Sequence, residues 1–212
     1  MSVSVKICGL STAETLDAAV ANGAAYIGLL FYPPSPRYVA LGQAEALAMR
    51  VPDHVGRVGV FVDPDDALVD AAIAAGKLTD LQLHKVTPER AAALRARTGL
   101  SIWAAVAVRA RTDLDAARGF SGAADRILYD AKTPDNAALP GGMGVRFDWG
   151  LLNGFSHPLP WALSGGLDAI NVGDAVRQTG ATLVDASSGM ETAPGIKDID
   201  KIALFLKACA AL

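Results

Sequence analysis

The chain has 212 residues, and its 19 Lys and Arg against 22 Asp and Glu give a formal net charge of -3. With 51% hydrophobic and 19% charged residues, the composition excludes a disordered chain and supports a core of its own. The acidic balance disfavours nucleic acid as a partner, because phosphate affinity depends mainly on clustered Lys and Arg. No apolar run approaches the roughly 20 residues needed to cross a bilayer, and the N-terminal segment lacks a signal-peptide pattern. We therefore expect no membrane partner and a cytoplasmic location.

Short β-branched or aliphatic runs alternate with Ala-rich segments of helical period along the whole chain. The predicted strands are Val3–Cys8, Ala25–Phe31, Val55–Val62, Asp80–His84, Ser101–Val108, Asp125–Asp130, Leu159–Ser164 and Ala181–Ala186. The predicted helices between and after them are Thr12–Asn22, Gly42–Arg50, Asp65–Ala75, Pro88–Arg97, Thr112–Gly119, Trp149–Asn153, Ala169–Thr179 and Asp198–Ala211, with C-terminal glycines at Gly23, Gly76, Gly99 and Gly180. Successive βα units without a linker predict an α/β fold, a single (β/α)8 TIM barrel that occupies residues 1–212 as one domain.

Metal and nucleotide sites find little support in the sequence. The two cysteines, Cys8 and Cys209, lie almost a chain length apart, so they suggest neither a disulfide framework nor a metal-ligand spacing. The three histidines do not combine into a three-ligand metal cluster. The glycines of residues 141–144 lack the Lys-Ser/Thr pair of a nucleotide-binding loop. We expect no metal and no cofactor.

Two glycine-containing turns point to a phosphorylated ligand. In a barrel of this kind the active site lies at the C-terminal ends of the strands. The turn after the seventh predicted strand is Ser164-Gly165-Gly166, and the turn after the eighth is Ser187-Ser188-Gly189. Backbone N–H groups and hydroxyls of both turns can converge on one anion. The sequence therefore predicts a small-molecule phosphosugar as the substrate.

Two ionisable residues at strand ends are candidates for proton transfer. Cys8 can act as a thiolate base if a neighbour lowers its pKa, although a buried structural cysteine is the alternative. Asp130 can act as the acid if desolvation keeps it protonated, although it could also cap a helix or anchor a loop. Arg37 follows three prolines that stiffen its loop, so it can present its guanidinium to a carboxylate unless it is a solvated surface residue.

The remaining candidates lie near the same end of the barrel. Gln82 and His84 are at the end of the fourth predicted strand, where His84 either lines the site or fills a polar gap. The longest segment without helical or strand period, Ala131–Phe147, contains Gly142 and is either a lid or a surface loop.

Taken in chain order, several short motifs form a pattern that spans nearly the whole chain. They are Lys6-Ile7-Cys8-Gly9-Leu10, Ser35-Pro36-Arg37, Leu81-Gln82-Leu83-His84, Tyr129-Asp130-Ala131, Gly141-Gly142, Leu163-Ser164-Gly165-Gly166-Leu167, Asp185-Ala186-Ser187-Ser188-Gly189-Met190-Glu191 and Gly195-Ile196-Lys197-Asp198. This pattern resembles the phosphoribosylanthranilate isomerase family of tryptophan biosynthesis. The resemblance implies an Amadori rearrangement of N-(5-phosphoribosyl)anthranilate to the 1-deoxyribulose 5-phosphate without cofactor or metal, in a monomer or a homodimer.

The resemblance also implies roles for single residues. Asp130 would protonate the ribose ring oxygen and Cys8 would remove the C2 proton. Arg37 would hold the anthranilate carboxylate. The phosphate would lie at Ser164, Gly165, Gly166, Ser187, Ser188 and Gly189, and Gln82, His84 and Gly142 would complete the substrate site.

Two positions depart from the family pattern. Lys85 stands after His84 where the family usually has Gly, and Met143 stands between lid glycines where Thr or Asn is common. Two alternatives stay open. One is another cofactor-free phosphosugar isomerase. The other, motivated by Lys85 and Met143, is a catalytically weak barrel that binds a phosphate ligand.

Overall fold

The structure is a computed structural model, and it describes residues 3–133 and 144–212. Eight parallel strands close into a barrel in chain order, which confirms the predicted (β/α)8 fold. The strands are β1 (Ser4–Cys8), β2 (Tyr26–Leu30), β3 (Gly56–Val62), β4 (Asp80–His84), β5 (Ser101–Val108), β6 (Arg126–Ala131), β7 (Trp161–Leu163) and β8 (Leu183–Ala186).

The outer layer consists of α-helices and shorter 3-10 helices. The α-helices are α1 (Ala13–Ala21), α2 (Leu41–Ala48), α3 (Asp66–Gly76), α4 (Pro88–Thr98), α5 (Val172–Thr179) and α6 (Ile199–Ala210). The 3-10 helices are Arg111–Phe120, Trp149–Leu152 and Ser188–Met190, and an antiparallel hairpin of β9 (Glu191–Ala193) and β10 (Ile196–Lys197) follows the last of them. No helix within the described ranges combines the length and apolar character needed to span a bilayer.

Side chains that point into the barrel form two layers. Val58, Leu128, Ala162 and Leu183 pack with Trp103 in a buried cluster. Each of these four precedes by two positions a residue that lines a pocket at the C-terminal barrel end, so period-two alternation puts both on the inner face. The lower layer is therefore apolar, and the upper layer carries the polar side chains Asp130, Ser164 and Asp185 together with the apolar Val60.

Helix ends differ from the prediction at one glycine. Gly23, Gly99 and Gly180 adopt positive φ after their helices, as expected. At the end of α3, however, Lys77 takes the left-handed conformation, with φ 45°, and Gly76 is still helical. A Cβ at Gly76 would lie 2.7 Å from Leu78 Cδ2, so a larger residue there would require the Leu78 side chain to shift. The prediction that Gly76 ends the helix was wrong.

Two further expectations about the outer layer were also wrong. The segments expected to be α-helices near residues 112–119 and 149–153 are 3-10 helices. In the first, the Asp113 carboxylate accepts hydrogen bonds from the backbone N–H groups of Arg109 and Ala110, both at 2.8 Å, which favours a tight first turn. The hairpin of β9 and β10 was not predicted, because its strands are only three and two residues long.

Candidate active site

One pocket at the C-terminal end of the barrel collects nearly all the residues selected from the sequence. Its empty volume is about 790 Å³, counted out to the open mouth. Of the predicted site residues, the wall contains Cys8, Arg37, Gln82, His84, Asp130, Ser164, Gly165, Gly166, Ser187 and Ser188. Gly142, Met143 and most of the expected lid lie outside the described residues.

Gly189 belongs to the turn after β8, whose residues Ser187 and Ser188 line the pocket. A Cβ at this position would lie 2.0 Å from the carbonyl oxygen of Leu167. The backbone after β8 therefore touches the backbone after β7, and only glycine permits that approach. Gly165 and Gly166 adopt φ values of +96° and +63°, which also favour glycine. The two glycine-containing turns do converge.

Cys8 ends β1 and lies on the pocket wall with a charged residue beside it. Lys6, two positions earlier on the same face of β1, is fully buried, and its Nζ donates to Asp185 Oδ1 at 2.9 Å. Burial raises the pKa of Cys8, while the charges of Lys6 and Lys197 lower it and that of Asp185 raises it further. The net shift is upward. The lowered pKa that a thiolate base needs is therefore not found, and the thiol is protonated at neutral pH.

Asp130 lies at the end of β6, and its Oδ1 accepts a hydrogen bond from the backbone N–H of Ala131 at 2.9 Å. Burial, aided by the negative charge of Asp185, raises the pKa of Asp130 to about 6, against a weaker lowering by Ser164 and Lys6. The expected effect of desolvation on this carboxyl is confirmed in direction. Asp130 exchanges its proton near neutral pH.

Arg37 is buried and already paired. Its Nε and Nη2 donate to the two carboxylate oxygens of Glu191, both at 2.7 Å. The side-chain stem packs over Gly9, where a Cβ would lie 2.7 Å from Arg37 Cδ. The guanidinium is thus fixed in orientation by Glu191 rather than by the proline-rich loop alone. Its contact with a substrate carboxylate stays a prediction.

Glu191 also connects Arg37 to the turn after β8. Lys197 on β10 has a side chain that is 1% exposed, and its Nζ donates to Glu191 Oε1 at 2.6 Å. The same Nζ donates to the carbonyl oxygen and to the Oγ of Ser187, both at 3.0 Å. Ser187 Oγ in turn donates to the carbonyl oxygen of Cys8 at 3.1 Å. One chain of contacts therefore runs from Arg37 through Glu191 to the thiol-bearing residue.

The end of β4 presents a neutral histidine. His84 Nε2 lies 2.9 Å from Gln82 Nε2, and burial together with Lys6 and Lys85 lowers the pKa of His84 to about 4. Gln82 Oε1 is buried and has no hydrogen-bond partner among the described residues, so this amide can still accept a hydrogen bond. Lys85 has φ 55°, a left-handed conformation that favours glycine. The backbone at this position therefore fits the glycine expected from the family resemblance, although the residue is lysine.

Four residues at or behind the pocket were missed as site residues: Lys6, Asp185, Glu191 and Lys197. Strand alternation could have identified Lys6, because it shares a face with Cys8. Asp185 was only part of a quoted motif. Glu191 was within a quoted motif, but its pairing with Arg37 depends on a contact across 154 positions of sequence. Within residues 3–133 and 144–212, no group of three or more His, Cys, Asp or Glu side chains could hold a metal ion.

Comparisons with known proteins agree on one family. The family model described as N-(5'phosphoribosyl)anthranilate (PRA) isomerase matches residues 5–208. The chain is 56% identical over 215 aligned positions to the N-(5'-phosphoribosyl)anthranilate isomerase of Zymomonas mobilis subsp. pomaceae, with all of both chains covered.

Solved structures give the same result. The phosphoribosyl anthranilate isomerase of Thermotoga maritima superposes with a TM-score of 0.87 at 32% identity, covering 99% of this chain and 100% of the other. A structure of a phosphoribosyl anthranilate isomerase in complex with reduced 1-(o-carboxyphenylamino)-1-deoxyribulose 5-phosphate has a TM-score of 0.85 at 31% identity, again covering 99% and 100%. The chain belongs to the N-(5'-phosphoribosyl)anthranilate isomerase family.

Proposed function

We propose that this chain converts N-(5'-phosphoribosyl)anthranilate to 1-(2-carboxyphenylamino)-1-deoxyribulose 5-phosphate, with Asp130 as general acid and Cys8 as general base. One observation carries the assignment of roles: Cys8 on β1 and Asp130 on β6 line the same pocket, from different sides of the barrel. An acid and a base on different sides of one sugar are what an aldose-to-ketose isomerisation requires.

The reaction proceeds in two proton transfers. Asp130 gives a proton to the ribose ring oxygen, the bond from that oxygen to C1 breaks, and the nitrogen lone pair forms the C1=N bond of a protonated Schiff base. Cys8 then takes the C2 proton, and the C2–H electron pair forms a C1=C2 double bond while the C1=N electrons return to nitrogen. The resulting enolamine tautomerises to the C2 ketone. Each proton transfer is worth about 10²- to 10⁴-fold in rate.

The remaining wall suits the rest of this substrate. The turns at Gly165-Gly166 and Ser187-Ser188 would hold the phosphate. Lys197, whose Nζ donates to the carbonyl oxygen and the Oγ of Ser187, would place a positive charge beside the second turn. Arg37 would hold the anthranilate carboxylate. Three apolar wall residues, Leu30, Val60 and Val62, offer a surface for the aromatic ring. Gln82, with its unpartnered Oε1, would accept a hydrogen bond from a sugar hydroxyl or from the substrate nitrogen, next to His84.

The proposal is tested by following the fluorescence of enzymatically generated N-(5'-phosphoribosyl)anthranilate after addition of the purified protein in excess EDTA. We expect a rapid loss of fluorescence together with formation of the deoxyribulose phosphate product. The Asp130→Asn variant should bind the reduced product analogue but turn over the substrate at least 100-fold more slowly. Binding of the analogue by the unmodified protein without any turnover would instead favour a phosphate-ligand binding barrel.

Three further points belong to the same proposal. We infer a cytoplasmic location, a monomeric or homodimeric state, and a single domain over residues 1–212. The first is in keeping with an enzyme of the phosphoribosylanthranilate isomerase family. The last is supported by the closure of all eight strands into one barrel.

A further inference from the structure

A buried lysine lies behind the pocket, and stability does not explain it. Lys6 has no exposed side-chain surface, and its Nζ is 2.9 Å from Asp185 Oδ1, itself in a 5% exposed side chain. The two residues are Cα partners in the β1–β8 register. A buried ion pair costs several kcal/mol of desolvation per ion, and well-packed apolar residues often stabilise a fold as much or more. The pair therefore points to a role in the site.

The lysine ammonium and the cysteine sulfur share one small space. Lys6 and Cys8 are two positions apart on β1, so both side chains point into the barrel. Gly28 on β2 is the Cα partner of Cys8. A Cβ at Gly28 would lie 3.0 Å from Cys8 Sγ and 3.1 Å from Lys6 Nζ. Any larger residue at position 28 would enter the space in which these two groups meet.

We propose that Lys6 is a positioning residue for Cys8: anchored by Asp185, it holds its ammonium against the sulfur and compensates the negative charge when Cys8 becomes a thiolate. The inference rests on the role given to Cys8 in the proposed function, and it adds a group that does not itself touch the substrate.

Lys6 is the cation on β1 that can compensate a negative charge on Cys8. The charged groups that face Cys8 are Lys6 on β1, Asp185 on β8 and Lys197 on β10. Asp130 and His84 also experience the field of Lys6. Burial acts to lower the pKa of Lys6, but Asp185 and Cys8 outweigh it, so the pKa of Lys6 is raised and the ammonium persists. A charge that persists is available whenever the thiol loses its proton.

A purely structural role makes a different prediction. If Lys6 only neutralises Asp185, then removing both charges together should leave Cys8 unaffected. The double variant K6Q/D185N replaces the ion pair by two amides that can still hydrogen-bond. The variant K6Q alone leaves Asp185 buried without a partner and could lose stability for that reason. The double variant therefore keeps the inference testable.

The experiment measures the second-order rate of Cys8 alkylation by iodoacetamide at pH 8, without substrate. A Cys209→Ala background leaves Cys8 as the sole cysteine of the chain. We expect the rate to fall at least tenfold in K6Q/D185N, and to remain within threefold of the unmodified protein in K6R. The rate should rise toward the unmodified value only at higher pH, because the thiolate is harder to form without the ammonium. A rate within twofold of the unmodified protein in K6Q/D185N would overturn the inference.

Steady-state kinetics of the same variants separate this inference from the proposed function. We expect kcat to fall at least tenfold in K6Q/D185N while KM stays within threefold, with most of the kcat retained in K6R. Near-normal turnover in a Cys8→Ala variant would overturn the role of Cys8 itself. A full loss of turnover in Cys8→Ala with unchanged alkylation in K6Q/D185N would leave the proposed function standing and remove only the role of Lys6.

Discussion

The two walls of the pocket differ in the cations that face their ionisable groups. On the β1 wall, Cys8 faces the ammonium groups of Lys6 and Lys197, and both charges lower its pKa. On the β6 wall, Lys6 is the cation that lowers the pKa of Asp130. Burial and the negative charge of Asp185 raise the pKa of both groups. The second cation beside Cys8 supports Cys8 as the base and Asp130 as the acid.

The resting protonation states run opposite to these roles. At pH 7 the raised pKa of Cys8 keeps the thiol protonated, whereas Asp130, with a pKa of about 6, is mostly ionised. The reaction needs a thiolate and a carboxylic acid. In the resting form and in the reactive form alike, Cys8 and Asp130 together hold one proton. The reactive form is therefore reached when that proton moves from Cys8 to Asp130. Activity should therefore require one proton on the pair, whichever group holds it at rest.

The largest expected effect comes from removing the base on the β1 wall. Cys8→Ala should lower kcat by about 10²- to 10⁴-fold, because it removes the group that we propose to accept the C2 proton. The matched control is Cys209→Ala. Cys209 is 1% exposed in α6, where burial raises its pKa to about 12, and it is not among the pocket residues. The control should keep kcat within twofold, and a similar loss in both variants would contradict the assignment.

The next prediction concerns the pH dependence of kcat/KM, which tests whether Cys8 and Asp130 share one proton. As pH falls below about 6, Asp130 takes up a proton and the pair holds two, so Cys8 can no longer lose its proton to Asp130. We expect kcat/KM to fall about tenfold per pH unit below pH 6, in a profile measured from pH 4.5 to 9. In Asp130→Asn the residual activity should lose this acid limb. An acid limb near pH 6 that persists in Asp130→Asn would assign the titration to another group.

Sequence reasoning located the barrel and its pocket better than it located the charges. Strand spacing and the strand-end rule were sufficient for the β strands and for Cys8 and Asp130, because hydrophobic period and chain order are local properties. The Arg37–Glu191 and Lys6–Asp185 pairs join residues 154 and 179 positions apart, so no local pattern announces them. Gly76 was misread because it is still helical and packs closely against Leu78, whereas the left-handed residue that ends α3 is Lys77. Lys85 shows the converse, a left-handed residue that is not glycine.

A moderate effect is expected from Glu191, which contacts both Arg37 and Lys197. Glu191→Gln removes the charge that orients Arg37 and pairs with Lys197. The groups proposed to bind the anthranilate carboxylate and the phosphate would then lose their fixed relative positions. We expect KM to rise about tenfold, a loss of about 1.4 kcal/mol in binding, with kcat reduced less than threefold. The control is Asp17→Asn, which breaks the exposed Asp17–Arg50 pair and should change neither constant. A loss confined to kcat would contradict this role.

The last prediction concerns stability rather than catalysis, through the buried carboxylate of Asp130 on the β6 wall. The pKa of Asp130 is about 6 in the folded chain against an ordinary value of 3.8, so the folded state binds a proton more tightly than the unfolded state does. The contribution of Asp130 to stability therefore improves as pH falls from 6 towards 4, and above pH 6 the buried carboxylate destabilises the fold.

Asp130→Asn removes that carboxylate and should raise the free energy of unfolding at pH 7.5 by about 1–2 kcal/mol, equivalent to roughly 2–8 °C in melting temperature. Urea denaturation at pH 7.5 and at pH 4.5 measures the gain under both conditions. The gain should shrink at pH 4.5, because the unmodified Asp130 is then protonated and neutral like the asparagine. An equal gain at both pH values would mean that the charge of Asp130 is not its cause, and the contrast between the two walls would lose its electrostatic basis.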